Sequence, residues 1–246
     1  MARVLILGGT AEANALAETL AEAGRREVIV SLAGRTAAPR SGPAPIRRGG
    51  FGGPEGLRAY LEAERISAVI DATHPFAGRI SEHAARACAA AGVARVALSR
   101  PPWRAGTGDD WRGAAGGAGA AALLPPGARA FLALGRQRLE PFAARADVWF
   151  LIRVVDPPTA PLLPGPHLAI TGRGPFAVED ERALITAHGI THLVARNSGG
   201  AGARAKLVAA RELTVPVIMI ARPPPPPEPV VKTIASALAW LDAALG

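Results

Sequence analysis

Short apolar runs alternate with segments of helical periodicity along the first half of the chain. Residues 3–7 and 27–32 are apolar runs of strand length, and residues 11–23 between them repeat apolar side chains at helical spacing. The alternation continues with a helix near 54–64, a strand at 65–71, a helix near 77–91 and a strand at 93–99. Strands separated by helices predict a parallel sheet that is covered on both faces.

The pattern restarts after residues 104–127, a glycine-, alanine- and proline-rich stretch that marks a domain boundary. The later elements are strands at 128–134, 147–154, 167–171, 191–195 and 215–220, and helices at 137–145, 176–188, 203–213 and 230–244. We therefore predict an α/β protein of two Rossmann-like, doubly wound parallel-sheet domains with an interdomain cleft. The predicted domains are 1–110 and 111–228, with the helix of 229–246 packing on either one.

Composition narrows the possible partners. The net charge of +8 suits nucleic acid, an acidic membrane surface or an acidic small molecule. Aromatic residues make up 4% and no run of basic residues occurs, which argues against nucleic acid. No stretch approaches the ~20 apolar residues that span a bilayer, and the first apolar run is too short for a signal peptide. We expect a cytoplasmic protein with no membrane partner, whose single cysteine, Cys88, lies on the packed face of a helix.

The first strand leads into a glycine turn and a helix, "LILGGTAEA". Such a turn brings backbone N–H groups and a helix N-terminus against a phosphate, so the candidate contacts are Gly8, Gly9, Thr10, Ala11 and Glu12. The turn departs from G-x-G-x-x-G because a threonine stands where the second glycine belongs. We expect this threonine to offer its hydroxyl to a phosphate oxygen.

The end of the second strand indicates which dinucleotide is bound. Proteins that bind NAD place an acid there, but this strand ends in "VSLAGR", with Ser31 at the tip and Arg35 beyond it. No carboxylate repels a 2′-phosphate, and Arg35 is suited to pair with one, which favours NADP. The alternative is that Arg35 is a solvated loop residue.

The segment "DATHPFA" follows the strand that we expect to lie beside the first one. Thr73 and His74 then face the crevice where the strand order reverses, next to the glycine turn. We expect Pro75 to begin the next helix and Asp71 to organise the loop. The alternative for Thr73 is that it only caps this helix.

Arginines follow the ends of five predicted strands. They are Arg100, Arg136, Arg173, Arg196 and Arg222. Because parallel strands end on one rim, each domain is predicted to present an arginine-lined edge, which suits a ligand with several carboxylates. Some of these arginines, Arg222 above all, are alternatively expected to cap helices or stay solvated. The loop "RNSGG" adds Asn197, Ser198 and Gly199 as donors for a phosphate or carboxylate, with Lys206 in the following helix; no metal-ligand cluster is present.

Taken in order, "LGGTAEA", "DATHPFA", "LGRQ", "TGRGPF" and "NSGG" closely resemble the precorrin-6A reductases of cobalamin biosynthesis. The resemblance covers nearly the whole chain. It implies reduction of a double bond of a tetrapyrrole macrocycle with NADPH as cofactor, on a metal-free or a cobalt-containing substrate. It also implies that the arginine edges bind the acetate and propionate groups of the macrocycle, with hand-over to other enzymes of the pathway. His74 is the candidate proton donor, and water is its rival.

Two other functions remain open. A non-catalytic carrier of tetrapyrroles or other polyanions would bind its ligand without oxidising NADPH. A reductase of another small acidic substrate would keep the cofactor site, although the Tyr-x-x-x-Lys pair of short-chain reductases is missing, since Tyr60 is followed by Glu64.

Overall fold

A computed structural model describes residues 1–34 and 42–246. Its strands are β1 (Arg3–Leu7), β2 (Glu27–Leu32), β3 (Ile46–Arg48), β4 (Ala68–Asp71), β5 (Ala94–Leu98), β6 (Trp111–Ala114), β7 (Arg129–Ala133), β8 (Trp149–Val154), β9 (His167–Thr171), β10 (His192–Arg196), β11 (Val217–Ile220) and β12 (Val230–Val231). Its α-helices are α1 (Ala11–Ala23), α2 (Pro54–Ala63), α3 (Gly78–Ala91), α4 (Gly117–Ala122), α5 (Val178–Ala187), α6 (Ala205–Glu212) and α7 (Ile234–Leu245). In the part of the chain described, no helix has the length and apolar content to cross a membrane.

The chain forms two compact units. The first contains Met1–Pro101 and Pro223–Gly246, and the second contains Pro102–Arg222. Each unit holds one six-stranded sheet whose paired strands all run parallel, with helices alongside. The predicted α/β class with two parallel sheets is confirmed.

The first sheet has the order β12-β5-β4-β1-β2-β3. Leu7, at the end of β1, lies opposite Ser31 on one side and Asp71 on the other. The strand order therefore reverses between β1 and β4, which is where such sheets bind ligands.

Alternate residues of β1 enter two separate cores. Val4 and Ile6 pack with α1 and α7, and Leu5 and Leu7 pack with α2 and α3. Burial of each side chain of this size contributes roughly 1.5–3 kcal/mol relative to exposure. The last helix therefore packs on the first unit. Cys88 is buried on α3, and burial raises the pKa of its thiol to about 12, so it is an inert core residue.

The second sheet has the order β6-β11-β10-β7-β8-β9, which repeats the first with β7 in the place of β1. Phe131 of β7 and Leu193 of β10 pack with Ile185 of α5 and Leu207 of α6. One edge strand of each sheet, β12 in the first and β6 in the second, is the first strand after the chain passes from the other unit. β6 pairs with β11, and β12 pairs with β5.

The limits of the units differ from the predicted boundaries at 110 and 228. Residues 102–110 lie in the second unit, where Asp109 accepts two bonds from Arg211 on α6. Residues 223–228 lie in the first unit, where the Arg95 guanidinium donates to the carbonyls of Pro227 and Glu228.

Two stretches differ from the sequence pattern. The stretch 104–127, predicted to hold the domain boundary, carries β6 and α4. A Cβ on Gly117 of α4 would come within 2.9 Å of the Pro141 ring, so its small residues serve close packing. The helix predicted at 137–145 reduces to a 3-10 helix at Glu140–Phe142.

Candidate functional site

The glycine turn after β1 has an open space in front of it. The Gly8 N–H donates to the Ser31 carbonyl at 2.9 Å, which fixes the turn to β2. Gly9 has φ of 109°, a conformation that favours glycine, and a Cβ built there meets no atom within 4 Å. α1 then begins at Ala11, so its N-terminus and positive dipole end lie at the turn.

Thr10 ties this turn to the DATHPFA loop. Its hydroxyl accepts from the Ala13 N–H at 3.1 Å, as an N-cap, and donates to the Ala72 carbonyl at 2.7 Å. The two loops are therefore neighbours, as predicted. The expected donation of this hydroxyl to a phosphate does not hold in this arrangement, because its hydrogen is already used.

Asp71 organises the loop after β4, as expected. The carboxylate oxygen Oδ1 accepts from the Thr73 N–H at 3.2 Å and from the Thr73 hydroxyl at 2.7 Å. Thr73 does not cap α3, because the N-cap is Ala77, which makes no side-chain cap bond. Pro75 does not begin α3 either. It lies in a turn that is closed by the Ala77 N–H donating to the His74 carbonyl at 2.7 Å.

The His74 ring is held by the same turn. Its Nδ1 accepts from the Phe76 N–H at 3.2 Å, so this nitrogen carries no hydrogen and the ring hydrogen is on Nε2. His74, Asp71, Thr73 and Ser81 line a small pocket with Ser99, with a free volume of about 20 Å³. That volume accommodates about one water molecule among polar groups.

Two of the predicted site residues pair with each other. Glu12, predicted for the cofactor, and Arg100, predicted for the substrate, form an ion pair of 2.7 Å. Both side chains are mostly buried, and burial lowers the pKa of the Arg100 guanidinium although Glu12 opposes this. Ser31 is buried at the end of β2. Arg35 lies outside the described residues.

In the second unit, predicted arginines stand at or just past the ends of strands. Arg136 follows β7, Arg173 follows β9 and Arg196 ends β10, on one edge of a parallel sheet. Arg222, past the end of β11, donates to the carbonyls of Asn197 and Ser198 at 2.7 and 2.8 Å. It therefore braces the NSGG loop.

The side chain of Asn197 has a similar internal role. Its Oδ1 accepts from the Trp103 N–H at 2.8 Å, and its Nδ2 donates to the Trp103 carbonyl at 3.0 Å. The Trp103 indole N–H donates to the Gly200 carbonyl at 2.8 Å. The loop also contains the buried Ser198 and Gly199, which has φ of 65°. Asn197 thus positions the backbone of this loop.

Lys206 lies almost fully inside the second unit. It is 9% exposed, its ammonium donates to the Ala203 carbonyl at 2.6 Å, and it lies 5.7 Å from the Trp103 ring centre. The pKa of Lys206 is lowered to about 8, chiefly by burial; Glu181 opposes this shift, and the cations of Arg153 and Arg196 contribute to it.

Sequence reasoning missed the pair of Arg153 and Glu181. Arg153 of β8 makes two bonds of 2.6 and 2.8 Å to Glu181 of α5, which is 2% exposed. The Arg153 guanidinium also lies 4.0 Å from the centre of the Phe176 ring. An arginine inside the apolar run "FLIRV" was the available signal. Nothing in the spacing indicated its partner.

The described residues hold no cluster of histidine, cysteine and carboxylate groups suited to a metal ion. The family model described as precorrin-6x reductase CbiJ/CobK matches residues 3–242. The chain belongs to this family. The assignment to the reductases of cobalamin biosynthesis, drawn above from the motifs, is confirmed.

Curated reductases match over almost their whole length. Precorrin-6A reductase of Rhodobacter capsulatus is 50% identical over 242 residues, covering 98% of this chain and 96% of that protein. Precorrin-6A reductase of Rhodococcus erythropolis is 49% identical over 243 residues, covering 98% of each. A solved structure of CobK precorrin-6A reductase superposes with a TM-score of 0.96 at 48% identity, covering 100% of this chain and 98% of that one. The chain is thus an oxidoreductase with the fold of that reductase.

Proposed function

We propose that this reductase uses NADPH to reduce one double bond of precorrin-6A, the metal-free macrocycle. The observation that supports NADPH as the cofactor is the open glycine turn at the start of α1, which Thr10 joins to the DATHPFA loop. The names of the two curated relatives support the substrate. The proposal includes a cytoplasmic location and hand-over of the product to another enzyme of the pathway.

The residues around the turn fit a dinucleotide. A side chain at Gly9 would fill the space in front of the turn, and the end of β2 carries no carboxylate. The proposed contacts of the pyrophosphate are backbone N–H groups of Gly8, Gly9, Thr10, Ala11 and Glu12. Ser31 and Arg35 are proposed for the 2′-phosphate, Thr73 for the nicotinamide end, and Ser198 and Gly199 as further backbone donors. When bound, NADPH supplies the hydride.

The arginines and the buried lysine of the second unit are proposed to bind the carboxylates of the macrocycle. The proposed contacts are Arg136, Arg173, Arg196 and Lys206, with Arg100 in the first unit. Guanidinium groups bind carboxylates with two parallel N–H bonds, so several such groups fix the orientation of a polycarboxylate. Asn197 supports this set by holding the loop of residues 197–200 against Trp103.

The proton that accompanies the hydride has two candidate sources. For His74 to act as the acid, its ring must carry a second hydrogen, on Nδ1, where the Phe76 N–H already donates. His74 is therefore proposed to donate a hydrogen bond from Nε2 to the bound molecules. We assign the proton itself to water.

The deciding experiment is anaerobic incubation of the protein with NADPH and precorrin-6A, with cobalt-precorrin-6A in a parallel sample, following NADPH absorbance. We expect consumption of one NADPH per macrocycle, faster with the metal-free substrate. Binding of the macrocycle without NADPH consumption would support the carrier instead. Faster turnover of the cobalt form would reverse the choice of substrate.

A further inference from the structure

The cation of Arg47 lies beside Ser31, at the end of β2. Arg47 of β3 lies directly opposite Ser31 in the parallel register, and its Nη1 donates to the Ser31 hydroxyl oxygen at 3.4 Å. The Ser31 carbonyl accepts from the Gly8 N–H. Arg47 thus lies on the second strand from β1, at the carboxyl edge of the sheet where the glycine turn also lies.

The guanidinium of Arg47 is held in place before any ligand arrives. It donates to the carbonyls of Gly49 at 2.7 Å and Gly50 at 2.9 Å. Its Cζ lies 3.7 Å from the centre of the Phe51 ring and 5.0 Å from that of the Tyr60 ring. Fixing a guanidinium in this way reduces the entropy that it loses when it binds an anion.

The charge of Arg47 meets no carboxylate in residues 1–34 and 42–246. Its partners there are two carbonyls, one hydroxyl and two aromatic rings. A guanidinium has five N–H groups, so these bonds leave two for another acceptor. Because Ser31 accepts from Arg47, its own hydroxyl hydrogen is directed elsewhere.

We propose that Arg47, together with the Ser31 hydroxyl, binds the 2′-phosphate that distinguishes NADPH from NADH. The end of β2 is where dinucleotide-binding sheets hold the adenosine ribose, and an acid there selects NAD. Here a fixed, uncompensated cation replaces that acid. The assignment rests on the proposed function. It makes Arg47, a residue of β3, responsible for the preference for NADPH over NADH.

The test uses fragments of the cofactor and requires no turnover. Titration calorimetry on the full chain compares 2′,5′-ADP, which carries the 2′-phosphate, with 5′-AMP, which lacks it. We expect Arg47→Ala to weaken 2′,5′-ADP binding roughly tenfold or more and to leave 5′-AMP unchanged, since a bidentate charged contact is lost. Arg47→Lys should fall between. Arg48→Ala, the exposed neighbour on the same strand, is the matched control and should bind like the unsubstituted protein.

Three results would overturn the assignment. The first is unchanged 2′,5′-ADP binding in Arg47→Ala. The second is an equal loss of affinity for both fragments in Arg47→Ala, which would mean that Arg47 only supports the loop. The third is loss of the preference for 2′,5′-ADP over 5′-AMP in Arg35→Ala but not in Arg47→Ala. A failure of the Arg47 assignment can be distinguished from a failure of the proposed function. A protein that consumes NADPH with precorrin-6A while Arg47→Ala keeps the 2′-phosphate preference refutes only the role of Arg47.

Discussion

The two sheets have the same strand order, yet the turns after their central strands differ. After β1, the chain passes through Gly9 and enters α1, a helix of 13 residues with a threonine N-cap. After β7, it passes through Gly135, with φ of 72°, and makes only a 3-10 helix of three residues. A long helix directs its dipole at a phosphate and a single 3-10 turn does not. This difference supports the proposal that the first unit binds the dinucleotide and that the second binds its ligand through charged side chains.

One ion pair in each unit can be compared by the exposure of its carboxylate, which is lower in the second unit. Glu12 and Arg100 retain 26% and 15% of their side-chain exposure, whereas Glu181 and Arg153 retain 2% and 13%. Glu181 is thus a buried carboxylate of the second unit that acts on Lys206, on which the cations of Arg153 and Arg196 also act. A cluster with more cations than carboxylates is suited to an anionic ligand.

The largest effect is expected from Glu181→Gln. Removing this carboxylate leaves Arg153 buried without a counter-charge, which should lower the free energy of unfolding by about 3–5 kcal/mol. Glu12→Gln, whose carboxylate is 26% exposed, should cost less, about 1–2 kcal/mol, because water partly reaches this pair. Urea unfolding of both variants measures the difference, and equal losses would remove the contrast between the pairs.

Lys206→Met should change how stability depends on pH. The folded-state pKa of about 8 lies below the ordinary value of 10.5, so the unfolded chain holds this proton more tightly between these values. The unsubstituted protein should therefore gain, from pH 7 to pH 10, on the order of 2–3 kcal/mol of unfolding free energy relative to Lys206→Met. Lys232→Met, at the exposed second lysine, is the control and should show no such trend. A pH-independent difference for Lys206→Met would contradict the lowered pKa.

Gly9→Ala tests which turn holds the cofactor. Alanine at φ of 109° is strained by roughly 1–3 kcal/mol, so the turn should relax and NADPH should bind about tenfold more weakly. Gly135→Ala places a comparable strain in the corresponding turn of the second unit and should leave NADPH affinity unchanged. Fluorescence titration of NADPH measures both, and the reverse outcome would move the cofactor to the second sheet.

The smallest effect is expected from His74→Asn. The amide oxygen of asparagine can replace Nδ1 as acceptor for the Phe76 N–H, so the loop should stay folded and NADPH affinity should change less than about twofold. If water supplies the proton, the turnover rate should fall less than tenfold, and its pH profile should keep its shape. A loss of 100-fold or more, typical of a missing general acid, would make His74 the donor.

Much of the first unit could be predicted because its strands are continuous apolar runs and its loops carry unusual residues at their ends. The neighbouring positions of the glycine turn and DATHPFA followed from strand order alone. The role of the Thr10 hydroxyl did not, because its acceptor, Ala72, is 62 residues away. Long separation along the sequence is also why the pairs of Arg153 with Glu181 and of Asn197 with Trp103 were not predicted. β6 and β12 escaped notice because short edge strands carry little apolar pattern.

The chain leaves the first unit after residue 101 and returns to it at residue 223, so the two sheets are completed in a fixed order during synthesis. All residues of the second unit have been made by Arg222, whereas the first still lacks β12 and α7. Ala237 and Leu241 of α7 cover part of the core beside β1, so this core stays open until α7 has been made. The first unit is therefore completed after the second, although its first strand is made earlier, and a truncation after residue 222 should weaken binding at the proposed dinucleotide site beside β1.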